Sequence, residues 1–286
     1  MPRPSAPTPR SVTTSRVPAD DRQRRVTALL VGFSTVLGLL IGSFLNVVVW
    51  RVPRGESVVH PPSACPRCGH RIRSRDNVPV LSWLLLRGRC RDCGAPISPR
   101  YPLVEAGTGV LFGLTASFTG LAWTLPALLY LAAIAVALTL IDLDVHRLPD
   151  VIVLPSYGVA AALLLLADLA PDGALDTAAV VRALVGGAAM FAFYFLLLVV
   201  RPGGMGFGDV KLAGVVGLYL GWFGWGALAV GAFGAFLIGG LFSVGLLLTG
   251  RAGRKSGVPF GPWMFAGAIL GIVAGEPLWS AYLSVF

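Results

Sequence analysis

The chain has 286 residues, 55% of them hydrophobic and only 13% charged, with a mean hydropathy of +0.76. One water-soluble core of this length cannot hide so much apolar surface, so a soluble globular domain is excluded. The net charge of +9 invites a nucleic-acid reading. Among the clustered arginines, however, only Trp83 and Tyr101 are available for base stacking, a poor platform.

In chain order, residues 1–25 are rich in Pro, Ser, Thr and Arg without an apolar period, which reads as a disordered tail. A first apolar run, Ala28 to Val49, lies within a first transmembrane helix at 26–50 and has the length that crosses a bilayer. It leads straight into a polar, arginine-rich loop at 51–101, so it does not read as a cleaved signal peptide. Seven further apolar runs follow within 102–286: Pro102–Thr119, Leu125–Leu140, Val151–Ala167, Ala178–Val200, Val210–Trp222, Trp225–Leu248 and Phe260–Val273. The expected fold is therefore all-α, a polytopic membrane protein of about eight helices with a small loop domain. The 36 glycines suit this solvent. Gly38/Gly42, Gly109/Gly113, Gly217/Gly221 and Gly267/Gly271 have the four-residue spacing that lets membrane helices approach closely.

Basic residues separate by loop. The segment Arg51–Arg100 holds ten, and Arg147, Arg201, Arg251, Arg254 and Lys255 fall in loops of the same parity. The opposite loops carry Asp168, Asp172 and Asp176, with Arg182 just inside the following span. By the positive-inside rule the arginine-rich loop is cytosolic and both termini are outside, against the six arginines of the tail.

All four cysteines lie in that loop, as Cys65-Pro-Arg-Cys68-Gly and Cys90-Arg-Asp-Cys93-Gly. Two C-x-x-C knuckles read as a closed four-thiolate zinc site. The competing pair of disulfides is disfavoured in a reducing compartment. His60 and His70 are spare ligands, read as surface residues. A site with four thiolates leaves no coordination position for substrate, so its expected role is to fold the loop.

Ionisable side chains at membrane depth mark function by default. One cluster runs from Asp142 through Asp144 to Asp150 at the end of the third span. The other is Gly206-Phe207-Gly208-Asp209-Val210-Lys211, where the sixth begins. Loop parity places both on the cytosolic face. Two carboxylates in a partly dry pocket share one proton, so one can activate water while the other protonates the leaving group. Gly206 and Gly208 would let a substrate backbone come close to Asp209. Other acids have plainer roles: Asp150 as a helix N-cap, Asp144 paired with Arg147, and Glu105 serving the helix dipole. Lys211 would either tune Asp209 or snorkel to water. A transporter uses membrane carboxylates too, but it predicts charges near mid-membrane and internal repeats.

These residues resemble the bifunctional prepilin peptidases, or type IV leader peptidases, of the GxGD membrane aspartyl protease group. The resemblance is carried by Gly42-Ser43-Phe44-Leu45-Asn46, both cysteine pairs, Asp76-Asn77-Val78-Pro79 and Arg100-Tyr101-Pro102-Leu103-Val104-Glu105. Two further stretches complete it, Asp142 to Asp150 and Met205 to Leu212. It implies Asp142 and Asp209 as the catalytic aspartates, with 102–286 as the protease core. It further implies type IV prepilins or pseudopilins as substrates, cut on the cytosolic side of the cell membrane after a glycine. A second implied activity is methylation of the new N-terminal amine by S-adenosylmethionine, with the cysteine loop associated with it. The residues themselves show no glycine-rich signature for that donor, and a peptidase without methyltransferase activity is the alternative.

Overall fold

A computed structural model describes residues 19–172, 175–250 and 258–285. Among the described residues there is no strand, and eight long α-helices and one short one are present: α1 (Ala19–Arg51), α2 (Leu81–Leu85), α3 (Arg100–Thr119), α4 (Leu125–Val145), α5 (Asp150–Asp172), α6 (Thr177–Val200), α7 (Phe207–Phe223), α8 (Trp225–Leu248) and α9 (Gly261–Leu283). Residues 1–18, most of the expected tail, lie outside the described residues. The helix begins at Ala19, ahead of the expected boundary at 26, and an Asp21–Arg25 pair at i,i+4 supports its extra turns.

By length and composition, α1, α4, α5, α6, α8 and α9 can each cross a membrane. The two remaining long helices, α3 and α7, complete the bundle by packing against them. The chain is thus an all-helical, multi-pass membrane protein. Leucines and phenylalanines such as Phe33, Leu103 and Phe233 are exposed on its outer surface, as lipid-facing residues should be.

Glycines build three antiparallel pairs. In the α1–α3 seam, a Cβ on Gly38 would meet the Thr108 carbonyl at 2.7 Å, and one on Gly42 would meet Glu105 Cα at 2.8 Å. Between α6 and α7, Gly186 faces Gly217 and Gly221; between α8 and α9, Gly267 and Gly271 face Gly231 and Ala227. The four spaced glycine pairs all lie in such seams, where close backbone approach replaces the hydrophobic drive that lipid does not provide.

At the centre stands α7. From Leu212 to Gly221 every residue is buried, because α5, α6, α8 and α9 surround it. Tyr219 donates from its hydroxyl to the Ala127 carbonyl of α4 at 3.0 Å, and Tyr157 on α5 donates to the Lys211 carbonyl at 2.6 Å. A buried tyrosine needs such a partner, and each bond fixes α7 against a neighbour.

Candidate active site

The expected carboxylates meet at one end of the bundle. The last turn of α4 carries Asp142, which is only 5% exposed. Its Oδ2 accepts the Gly261 backbone N–H at 3.0 Å, so the first residue of α9 holds it. After Asp142 the chain must turn sharply. His146 caps α4 in the left-handed region (φ 53°), its N–H bonded to the Asp142 carbonyl, and buried Leu148 folds back under the helix end.

Asp209 sits in the first turn of α7, half-buried. Its Oδ2 accepts the Gly206 N–H at 3.0 Å, which caps the helix start. One carboxylate oxygen therefore already has a structural task. Leu148 joins the two aspartates: a Cβ on Gly208 would lie 2.9 Å from Leu148 Cβ, while one on Gly261 would lie 3.5 Å from Leu148 Cδ2 and 2.9 Å from Asp142 Oδ2. Gly208 thus packs directly on Leu148, where a side chain would collide.

Several supporting residues have partners other than those expected. Asp144 pairs with Arg100 at 2.6 Å, not with Arg147, because the start of α3 lies beside the end of α4. Asp150 occupies the first turn of α5 and binds Lys211 Nζ with both oxygens, at 2.7 and 2.8 Å, so it is an inter-helix ion pair and not an N-cap. That pairing, with the Phe207 ring 4.8 Å from the ammonium, turns Lys211 toward α5 and away from Asp209. Glu105 lies in the second turn of α3 and accepts the Val80 N–H at 2.7 Å, a tertiary contact in place of a helix-dipole role.

An aromatic group walls the site, which the linear motifs did not single out. Phe260, just before Gly261, packs on Phe236 (centroids 5.1 Å apart) and Tyr194 (6.1 Å). Tyr194 is fully buried, and its hydroxyl has no hydrogen-bond partner among the described residues. In sequence these residues look like any other apolar positions of a membrane helix, so no local signal marks them.

The cysteine loop forms a second centre. Its two knuckles share one design: Cys65 N–H bonds the His70 carbonyl and Gly69 N–H the Cys65 carbonyl, just as Cys90 and Gly94 do with Ala95 and Cys90. Gly69 and Gly94 adopt φ of 72° and 68°, a turn that glycine makes without strain. The four sulfur atoms lie within 4.8 Å of one another, with Cys65 and Cys93 at 3.8 Å, and all four cysteines are free thiols. Tetrahedral zinc–sulfur bonds of about 2.3 Å place sulfurs about 3.8 Å apart, so the donor set fits such an ion. The backbone N–H groups of Cys68 and Arg67 favour the Cys65 thiolate, while Cys68, titrating together with it, is pushed up. Outside the knuckles, Arg91 grips Asp76 and holds its carboxyl below the usual range, and Trp83 donates to the Ile97 carbonyl. Neither His60 nor His70 joins the cluster.

Comparison with known proteins adds two family matches: residues 36–119 match the bacterial peptidase A24 N-terminal domain, and residues 127–244 match the type IV leader peptidase family. A prepilin leader peptidase/N-methyltransferase of Aeromonas salmonicida is 35% identical over 275 residues, covering 87% of this chain and 92% of the relative. Proteins with the same name from Pseudomonas aeruginosa (35%, covering 87% and 91%) and Myxococcus xanthus (41%, covering 80% and 67%) are also similar. No solved structure matches the chain.

Proposed function

The chain belongs to the type IV leader peptidase family, and from that premise we propose that it cleaves the leader of type IV prepilins or pseudopilins with Asp142 and Asp209. The observation that carries this reading is their convergence at one end of the bundle through Leu148, Gly208 and Gly261. With one proton shared between them, the unprotonated carboxylate takes a proton from water as its oxygen attacks the scissile carbonyl. The protonated partner then delivers its proton to the leaving amide nitrogen, and the peptide bond breaks. Gly261 N–H and Gly206 N–H orient the two carboxylates, and the Asp150–Lys211 pair fixes α7 against α5. Phe236 and Tyr194 pack on Phe260, the residue before Gly261, and so support the start of α9 that holds Asp142.

The arginine-rich loop lies at the same end of the bundle, joined through Arg100–Asp144. Loop charges make that end cytosolic, in the cell membrane. Zinc held by Cys65, Cys68, Cys90 and Cys93 would fold the loop. The names of the relatives support a second step, transfer of a methyl group from S-adenosylmethionine to the new N-terminal amine.

Mass spectrometry of a prepilin N-terminus after co-expression with this protein tests both steps. A product shortened after glycine and carrying one methyl is expected, with Asp142→Asn and Asp209→Asn each leaving the precursor intact. Substantial processing by either variant would overturn the aspartate pair, and a shortened but unmethylated product would remove the transferase.

A further inference from the structure

The cysteine loop does not stand clear of the bundle. Glu105, whose Oε2 receives the Val80 N–H, is level with Gly42 of α1. Gly42 in turn lies about 12 Å along the helix axis from Trp50, toward the membrane interior. Trp50, Arg51 and Tyr101 mark where α1 and α3 leave the apolar zone: Arg54 stacks on the Trp50 ring, and Asn46 donates to the Tyr101 carbonyl. A glutamate side chain reaches about 5 Å and its bond to the Val80 N–H adds 2.7 Å, so Val80 lies below the level of Trp50. The loop therefore dips back toward the bundle at the start of α2.

Once there, α2 turns leucines outward. Leu81, Leu84 and Leu85 are 58%, 57% and 82% exposed, while Ser82 on the opposite face is buried and Trp83 is tied to Ile97. Arg87 and Arg89 follow directly, both exposed. Among the described residues neither has a carboxylate in ion-pair reach, unlike Arg73 and Arg91 of the same loop.

We propose that α2 is an interfacial anchor: Leu81, Leu84 and Leu85 enter the acyl-chain boundary of the leaflet at this end, and Arg87 and Arg89 meet anionic lipid headgroups. The position argues for lipid as the occupant. Val80, just ahead of α2, is held below the level of Trp50, the depth at which acyl chains begin, and there the exposed faces of Leu81, Leu84 and Leu85 meet hydrocarbon rather than water. Three leucines backed by cations are the composition of such a surface-lying segment. The anchor would hold the metal-binding knuckles against the membrane beside the carboxylate end of the bundle.

Photocrosslinking of the full chain tests this. Leu85→p-benzoylphenylalanine is irradiated in vesicles of phosphatidylethanolamine and phosphatidylglycerol, with the same replacement at lipid-facing Phe33 as reference. A lipid adduct at position 85 comparable to that at Phe33 is expected. Replacing phosphatidylglycerol by phosphatidylcholine should lower it several-fold. Crosslinks to a co-expressed prepilin or to a second copy of the chain, or no lipid adduct at 85 while Phe33 labels, would overturn the proposal. Leu84→p-benzoylphenylalanine, also at an exposed position, should repeat the pattern and guards against one misfolded variant.

Discussion

Replacing Gly261 by alanine changes the support of Asp142 without touching its carboxylate. A Cβ at this position would lie 2.9 Å from Asp142 Oδ2, the same oxygen that accepts the Gly261 N–H at 3.0 Å. Carbon and oxygen do not rest that close, so the carboxylate must retreat by roughly 0.5 Å, and the hydrogen bond lengthens or breaks. A bond to a charged group contributes about 1.5–3 kcal/mol. If that orientation is needed in the transition state, its loss lowers kcat by about 10- to 150-fold. Stability should fall as well, by up to about the same 1.5–3 kcal/mol because donor and acceptor are both buried, so kcat is compared at a temperature where the variant is still folded. Prepilin cleavage by purified protein in nanodiscs gives kcat, and thermal unfolding gives stability. A variant that keeps the wild-type kcat would refute the role of Gly261 in aiming Asp142. One that loses activity only by unfolding would leave a packing effect alone.

Gly186→Val should be severe, because its Cβ would lie 2.6 Å from the Gly217 carbonyl and 3.0 Å from Gly221 Cα. Separating α6 from α7 is expected to cost about 2–4 kcal/mol, whereas Gly158→Ala, with nothing within 4 Å, should be neutral or stabilising in the same melt. Metal removal by a strong chelator, or Cys90→Ser, should release one zinc per chain and make 51–101 protease-sensitive. Methylation should fall more than cleavage, and an equal, complete loss of both would point to a shared folding defect. The Asp76–Arg91 pair gives the loop a pH dependence. Because Asp76 has its folded value depressed, its stabilising contribution is complete above the unfolded value of about 3.9 and is lost as pH falls through the folded one. Hydrogen exchange of the loop should therefore rise below that range in the wild type, and in Arg91→Met this contribution should already be missing at neutral pH.

Much of this protein is determined locally. Twenty apolar residues in a row need no partner to specify a bilayer-spanning helix, because lipid leaves the backbone no other way to satisfy its hydrogen bonds. Glycines at four-residue spacing mark helix seams for a similar reason, and Gly38, Gly217 and Gly267 all proved to lie in one. The two C-x-x-C-Gly knuckles are legible because each is a short turn whose geometry is contained within its own residues.

Partners across the fold were a different matter. Asp144 could have paired with neighbouring Arg147, and only the packing of α3 against α4 gives it to Arg100 instead. Lys211 follows Asp209 by one turn's fraction in sequence, yet the position of α5 turns it to Asp150. Glu105 has nothing in its own helix to predict that it will hold Val80, and Tyr194 has nothing to distinguish it from the apolar residues around it. A side chain several ångströms long chooses among groups brought near by other helices. Helix existence is set by the solvent and the local chain, whereas these contacts are set by rotation and register between helices, which only the assembled bundle determines.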